Sequence, residues 1–138
     1  MRVPPPAISL RQVGARRENE INRWRIGWTV QSNGEAPLEI ASARLPHGQF
    51  KSDAQSFVPA LTLAGGTAAQ FQTLVRCDEP PGPVTENAFV IFEAVWHGAP
   101  WRIFVRVRVE VLQDGEPSAT VQSITTQEVG FSQHLQAN

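Results

Sequence analysis

Hydrophobic and polar positions alternate most clearly between Trp96 and Val111. Trp101, Ile103, Val105, Val107, Val109 and Val111 fall in one phase, and Arg102, Phe104, Arg106, Arg108 and Glu110 fall in the other. A period of two predicts a β-strand with one buried face, because successive side chains on a pleated backbone point to opposite sides. The same pattern runs from Ile21 to Gln31, with Trp24, Ile26, Trp28 and Val30 set against Arg23, Arg25, Thr29 and Gln31. A third clear run places Ala69, Phe71, Thr73, Val75 and Cys77 opposite Gln70, Gln72 and Arg76.

Weaker runs fill the spaces between turn signals. Ile8 to Val13 is a first strand, Ser32-Asn33-Gly34 a turn, and Leu38, Ile40 and Ala43 carry a strand that ends near Pro46. His47 to Gln55 is polar and reads as a loop. Phe57 to Leu63 is a short strand interrupted by Pro59, which suits a sheet edge because proline cannot donate to a ladder. Gly65-Gly66 turns the chain, Asp78 to Glu86 is a loop rich in proline and acid, and Asn87 to Trp96 is the strand before the hairpin. No stretch carries the i, i+3, i+4, i+7 spacing of an amphipathic helix. The expected organisation is an extended proline-rich arm at 1–6, a β domain at 7–115, and a tail at 116–138 that adds an edge strand at about 118–129 and then frays. Short strands at this spacing predict an all-β, antiparallel β-sandwich of seven or eight strands.

The turn between the two best strands spans His97 to Pro100. Pro100 lacks an N–H, which favours a four-residue loop closed by Trp96 opposite Trp101. That register pairs Ala94 with Ile103, Phe92 with Val105, Val90 with Val107 and Ala88 with Val109 on the core face. The outer face then pairs Val95 with Arg102, Glu93 with Phe104, Ile91 with Arg106 and Phe89 with Arg108. Three readings of this mixed face stand side by side. Arginine stems can cover the apolar groups as ordinary surface, the tail or the N-terminal arm can fold over it, or it can meet a partner, since aromatic and arginine mixtures are typical of interaction hot spots. The candidate contact residues are Phe89, Ile91, Arg102, Phe104, Arg106 and Arg108.

Composition narrows the function without naming it. The 138 residues fit one domain, and 12 Lys and Arg against 13 Asp and Glu give a formal charge of −1, so no global field draws in nucleic acid or an anionic membrane. Only Lys51 is a lysine; the other cations are arginines. No apolar run approaches the ~18 residues of a membrane span. Met-Arg-Val-Pro-Pro-Pro has no signal-peptide core, so a cytoplasmic location is expected.

Chemistry finds little footing. Cys77 lies in phase with Phe71 and Val75 and reads as a core residue, while His47, His97 and His134 have no metal-ligand spacing. The acids Asp78, Glu79 and Glu86 are too spread for a calcium loop. No nucleophile elbow, phosphate loop or dinucleotide fingerprint occurs, so no cofactor or metal is expected.

Three segments carry a likeness to a known family: Asn33-Gly34-Glu35-Ala36-Pro37-Leu38-Glu39-Ile40; Phe57-Val58-Pro59 through Leu61, Leu63 and Gly65-Gly66; and Pro80-Pro81-Gly82-Pro83 before Asn87-Ala88-Phe89. From about residue 20 to 112 the chain resembles immunoglobulin-like domains of the PapD, major-sperm-protein and ASH kind. The resemblance implies an immunoglobulin-like sandwich that binds or scaffolds without catalysis; no binding residue of the family carries over. In that topology Arg23 and Arg25 would lie on the other sheet from Arg102, Arg106 and Arg108, leaving no single basic patch for nucleic acid. The expectation is a non-catalytic interaction module that binds a protein partner or a second copy of itself. The alternative is a small-ligand or carbohydrate-binding sandwich that uses Trp96 and Trp101, the tryptophans at the turn end.

Overall fold

In the computed structural model, which describes residues 3–130, every regular element is a strand. They are β1 (Ile8–Arg17), β2 (Arg23–Ser32), β3 (Leu38–His47), β4 (Phe50–Leu63), β5 (Ala68–Arg76), β6 (Val84–Trp96), β7 (Ala99–Val111) and β8 (Pro117–Glu128). All pairings are antiparallel, and the order across the sheet is β1-β2-β5-β4-β3-β6-β7-β8. The sheet curls into a nearly closed barrel around the alternating apolar phase. Trp28, Phe50 and Phe92 are fully buried. Trp28 meets Phe50 edge-on at 6.3 Å between ring centroids, and Phe71 meets Phe92 edge-on at 5.7 Å, an arrangement that suits the aromatic quadrupole. The one polar atom of Trp28 is satisfied inside this core, where Nε1 donates to Thr73 Oγ1 at 2.9 Å.

Two joins in the sheet are weak. Between β4 and β5 the single pair Lys51 opposite Arg76 connects the strands. Between β1 and β8 a side chain takes the place of a ladder: Gln12 Nε2 donates to the Pro117 carbonyl at 3.0 Å, and Gln12 Oε1 accepts from Ala119 N–H at 2.7 Å. The glutamine amide thus acts as a peptide group set into the gap. Beside it, Arg17 donates to the Asp114 carbonyl and lies over the Trp24 ring, 4.6 Å from its centroid.

Two sequence expectations are corrected here. Residues 47–55 are not a loop: β3 runs to His47, and β4 starts at Phe50 after a tight turn at Gly48-Gln49. Phe50 and Ser52 point inward and Lys51 and Asp53 outward, so the strand alternates although its interior holds a hydroxyl.

The β6–β7 hairpin also closes differently. Trp96 pairs with Ala99, not Trp101, across a two-residue turn whose His97 and Gly98 have φ of 50° and 74°. Positive φ at both positions is the mark of a type I′ turn. Pro100 sits opposite Val95. There its missing N–H points away from β6, while its carbonyl accepts from Val129 N–H at 2.9 Å, so the hairpin loses no bond. Every expected pair slides by two residues: Ala94 faces Trp101, Phe92 faces Ile103 and Val90 faces Val105. A slip of two preserves the faces.

Candidate interaction surface

The outer face of β6 and β7 carries all six candidate residues in the phase turned from the core. In the observed register Glu93 lies opposite Arg102, Ile91 opposite Phe104 and Phe89 opposite Arg106. β3 flanks this face with Ser42 beside Glu93 and Arg44 beside Ile91. β8 flanks it with Ser123, Thr125 and Gln127 beside Arg106, Phe104 and Arg102. Ile91 is only 7% exposed although it stands outside the core cluster, so its neighbours on the outer face cover it. Phe89 and Phe104 are half-buried, and Val95 is 37% exposed. The result is a small apolar stripe rather than a wet polar surface.

Each of the three arginines that β7 puts on the face is held by an acceptor. Arg102 Nε lies 2.7 Å from Glu93 Oε1. Arg106 donates from Nε to Ser123 Oγ and from Nη1 to Asn87 Oδ1, both at 3.1 Å. Arg108 Nε reaches Glu86 Oε1 at 3.0 Å. A β-bulge explains how β6 supplies two of these acceptors in succession. Between the pairs Thr85–Val109 and Ala88–Val107 it has two residues, Glu86 and Asn87, against one on β7, and Asn87 takes φ of 61°. Both side chains are thereby turned outward, beside Arg108 and Arg106. Sequence reasoning missed them because a bulge breaks the period of two; the signal was the consecutive polar pair at the head of an apolar strand.

β8 does not fold over this face but extends the sheet beside β7. The N-terminal arm is tied elsewhere, the Pro4 carbonyl accepting from Trp96 Nε1 at 2.8 Å. The expected fraying of the tail falls on 131–138, outside the described residues, as does His134.

No family model and no curated protein matches this chain. Among solved structures it is similar to the X-ray structure of Northeast Structural Genomics Consortium target SoR45, at 12% identity and a TM-score of 0.33 over 91% of this chain and 86% of that one. That overlap carries no argument about fold or function.

The rival sites are thinly built. Trp96 is 3% exposed, its N–H is taken, and its ring lies against Gly34, so it has no open face for a sugar; Trp101 is half-buried. Burial pushes the Cys77 thiol above its ordinary range, the reverse of an activated nucleophile. His47 Nδ1 accepts from Gln49 N–H within its turn. Among the described residues no three His, Cys, Asp or Glu side chains gather as a metal site, and no helix is long and apolar enough to cross a membrane. On β2, Arg23 lies 2.8 Å from Glu20 and Arg25 lies 3.2 Å from Glu18. The hydrogen bond from Arg25 holds the Glu18 carboxyl below its usual range.

Proposed function

We infer that this chain is a non-catalytic protein-interaction module that binds a partner protein or a second copy of itself through Phe89, Ile91, Arg102, Phe104, Arg106 and Arg108. The observation that carries the reading is that the three guanidinium groups β7 sets beside the Phe89–Ile91–Phe104 stripe, those of Arg102, Arg106 and Arg108, are already oriented by Glu93, Asn87, Ser123 or Glu86. Exposed ion pairs of this kind contribute only ~0–1 kcal/mol each to folding, so stability alone gives them little purpose. A surface whose rotamers are fixed beforehand loses less entropy when a partner arrives. A complementary surface would bring a carboxylate or main-chain carbonyls to the arginines and an aliphatic or aromatic group to Phe104.

The same reading takes the fold as an immunoglobulin-like sandwich of the PapD, major-sperm-protein and ASH kind. Divided at its two weak joins, the sheet yields the layers β1-β2-β5 and β4-β3-β6-β7-β8. The neighbours β2–β5 and β3–β6–β7 match the B–E and C–F–G neighbours of immunoglobulin domains. An experimental structure with a full ladder between β4 and β5 would make the molecule a barrel instead. The functional reading is tested with Phe104→Ala/Arg106→Ala, measuring oligomeric mass by sedimentation and partner retention by pull-down. The expected result is loss of association with an unchanged circular dichroism spectrum; association that persists on an intact fold refutes the surface.

A further inference from the structure

The opening between β4 and β5 has the make-up of an anion site. Ladder bonds alternate from side to side along an antiparallel strand, which directs the main-chain groups of Lys51 toward β5 and those of Leu74 and Arg76 toward β4. Lys51 pairs with Arg76, but the next pair in register, Asp53 with Leu74, does not form. A bulge on β4 sets Asp53 and Ala54 against the single residue Arg44 of β3, and Leu74 faces the opening without a ladder partner on β4.

Behind them lies a cleft of about 380 Å³ lined by side chains from both strands and by Arg23 of β2. Two hydroxyl residues line it from the inward phase. Ser52 is 8% exposed, and its Oγ is buried with no hydrogen-bond partner. Thr73 Oγ1 accepts from Trp28 Nε1, which leaves its own proton to give.

Charge points the same way. Lys51 and Arg76 stand directly opposite one another, a like-charged pair that destabilises a sheet. Among the described residues neither is in an ion pair, whereas Arg23 is held by Glu20 at 2.8 Å. Asp53 is the one carboxylate among the lining residues. Donors without acceptors converge here with two uncompensated cations, which is the complement of an oxyanion. We propose that the β4–β5 opening binds a phosphate group, with Lys51 and Arg76 supplying charge and Ser52, Thr73 and the Leu74 N–H supplying hydrogen bonds. The site is separate from the β6–β7 face, with β4 and β3 lying between them in the sheet order.

The test is an amide-resolved NMR titration of the full chain with sodium phosphate, and in parallel with glycerol phosphate, against sodium chloride at matched ionic strength. Saturable shifts at the Leu74 amide, absent in chloride, are expected. Saturation by both compounds identifies a site open to phosphate esters, and saturation by inorganic phosphate alone a site for the free ion. Lys51→Ala/Arg76→Ala should weaken binding about ten-fold or more, since charge-assisted hydrogen bonds dominate such a site. It should still fold, because it relieves a repulsion. Ser52→Ala should weaken binding several-fold. Identical drift in chloride and phosphate, or an unchanged response in both variants, would overturn the proposal, whatever becomes of the Phe104 and Arg106 surface.

Discussion

Gln12 carries the whole hydrogen-bonded connection that its own strand makes to β8, and replacing it by alanine measures what that connection is worth. Gln12→Ala removes the bond of 3.0 Å to Pro117 and the bond of 2.7 Å from Ala119, leaving a carbonyl and an N–H of β8 facing β1 across the gap without partners. Each bond is worth ~1 kcal/mol net, and a donor or acceptor left unpaired away from water costs ~1–3 kcal/mol. The site is partly buried, so water relieves some of that cost, and the expected loss is about 2–3 kcal/mol. This is a large share of the ~5–15 kcal/mol that holds a domain together. Urea unfolding followed by tryptophan fluorescence would read it as a lower midpoint with an unchanged slope, and hydrogen exchange would read it as faster opening at the Ala119 amide. Gln12→Glu refines the test, because a carboxylate can accept from Ala119 but has no proton for Pro117. A loss below ~0.5 kcal/mol with unchanged Ala119 protection would refute the idea that this side chain closes the sheet.

Two further predictions concern the core. A Cβ added at Gly34 would sit 2.6 Å from the Trp96 ring, whose N–H is anchored to Pro4, so Gly34→Ala should destabilise the fold by ~1–3 kcal/mol and shift the tryptophan emission. Burial raises the Cys77 thiol pKa in the folded state. The unfolded chain then releases its proton first as pH climbs, so stability intact below the ordinary thiol range should fall through alkaline pH; a Cys77→Ala variant measured by the same urea series should lack that fall.

Much of the fold was legible because its strands keep a strict period of two with large apolar side chains, as in Trp24 to Val30 and Trp101 to Val111. The start of β4 was not, because its inward positions hold only Phe50 and Ser52, and the stretch reads as polar. The hairpin register failed on a single omission: the missing N–H of Pro100 was charged against β6 when the geometry of a two-residue turn aims it the other way. The six surface residues kept their face because the slip was even, but the acceptors that hold the arginines, Glu86 and Asn87, depend on a bulge that alternation cannot anticipate. The β4–β5 opening is a relation between distant segments and left no local mark. Gln12 did leave one, as an amide in the inward phase after Ile8 and Leu10, where a strand normally continues with an apolar residue.

A row of unpaired peptide groups at a sheet margin is a template on which other molecules polymerise, and natural proteins blunt such margins. Here the first and last strands of the sheet look at one another, so each shields the other's margin from neighbours in solution. The arrangement is complete only once Pro117–Glu128 has docked along β7. A nascent chain released from synthesis before that segment emerges bares β7 and β1 together, and Pro117–Glu128 guards the molecule against fibril growth.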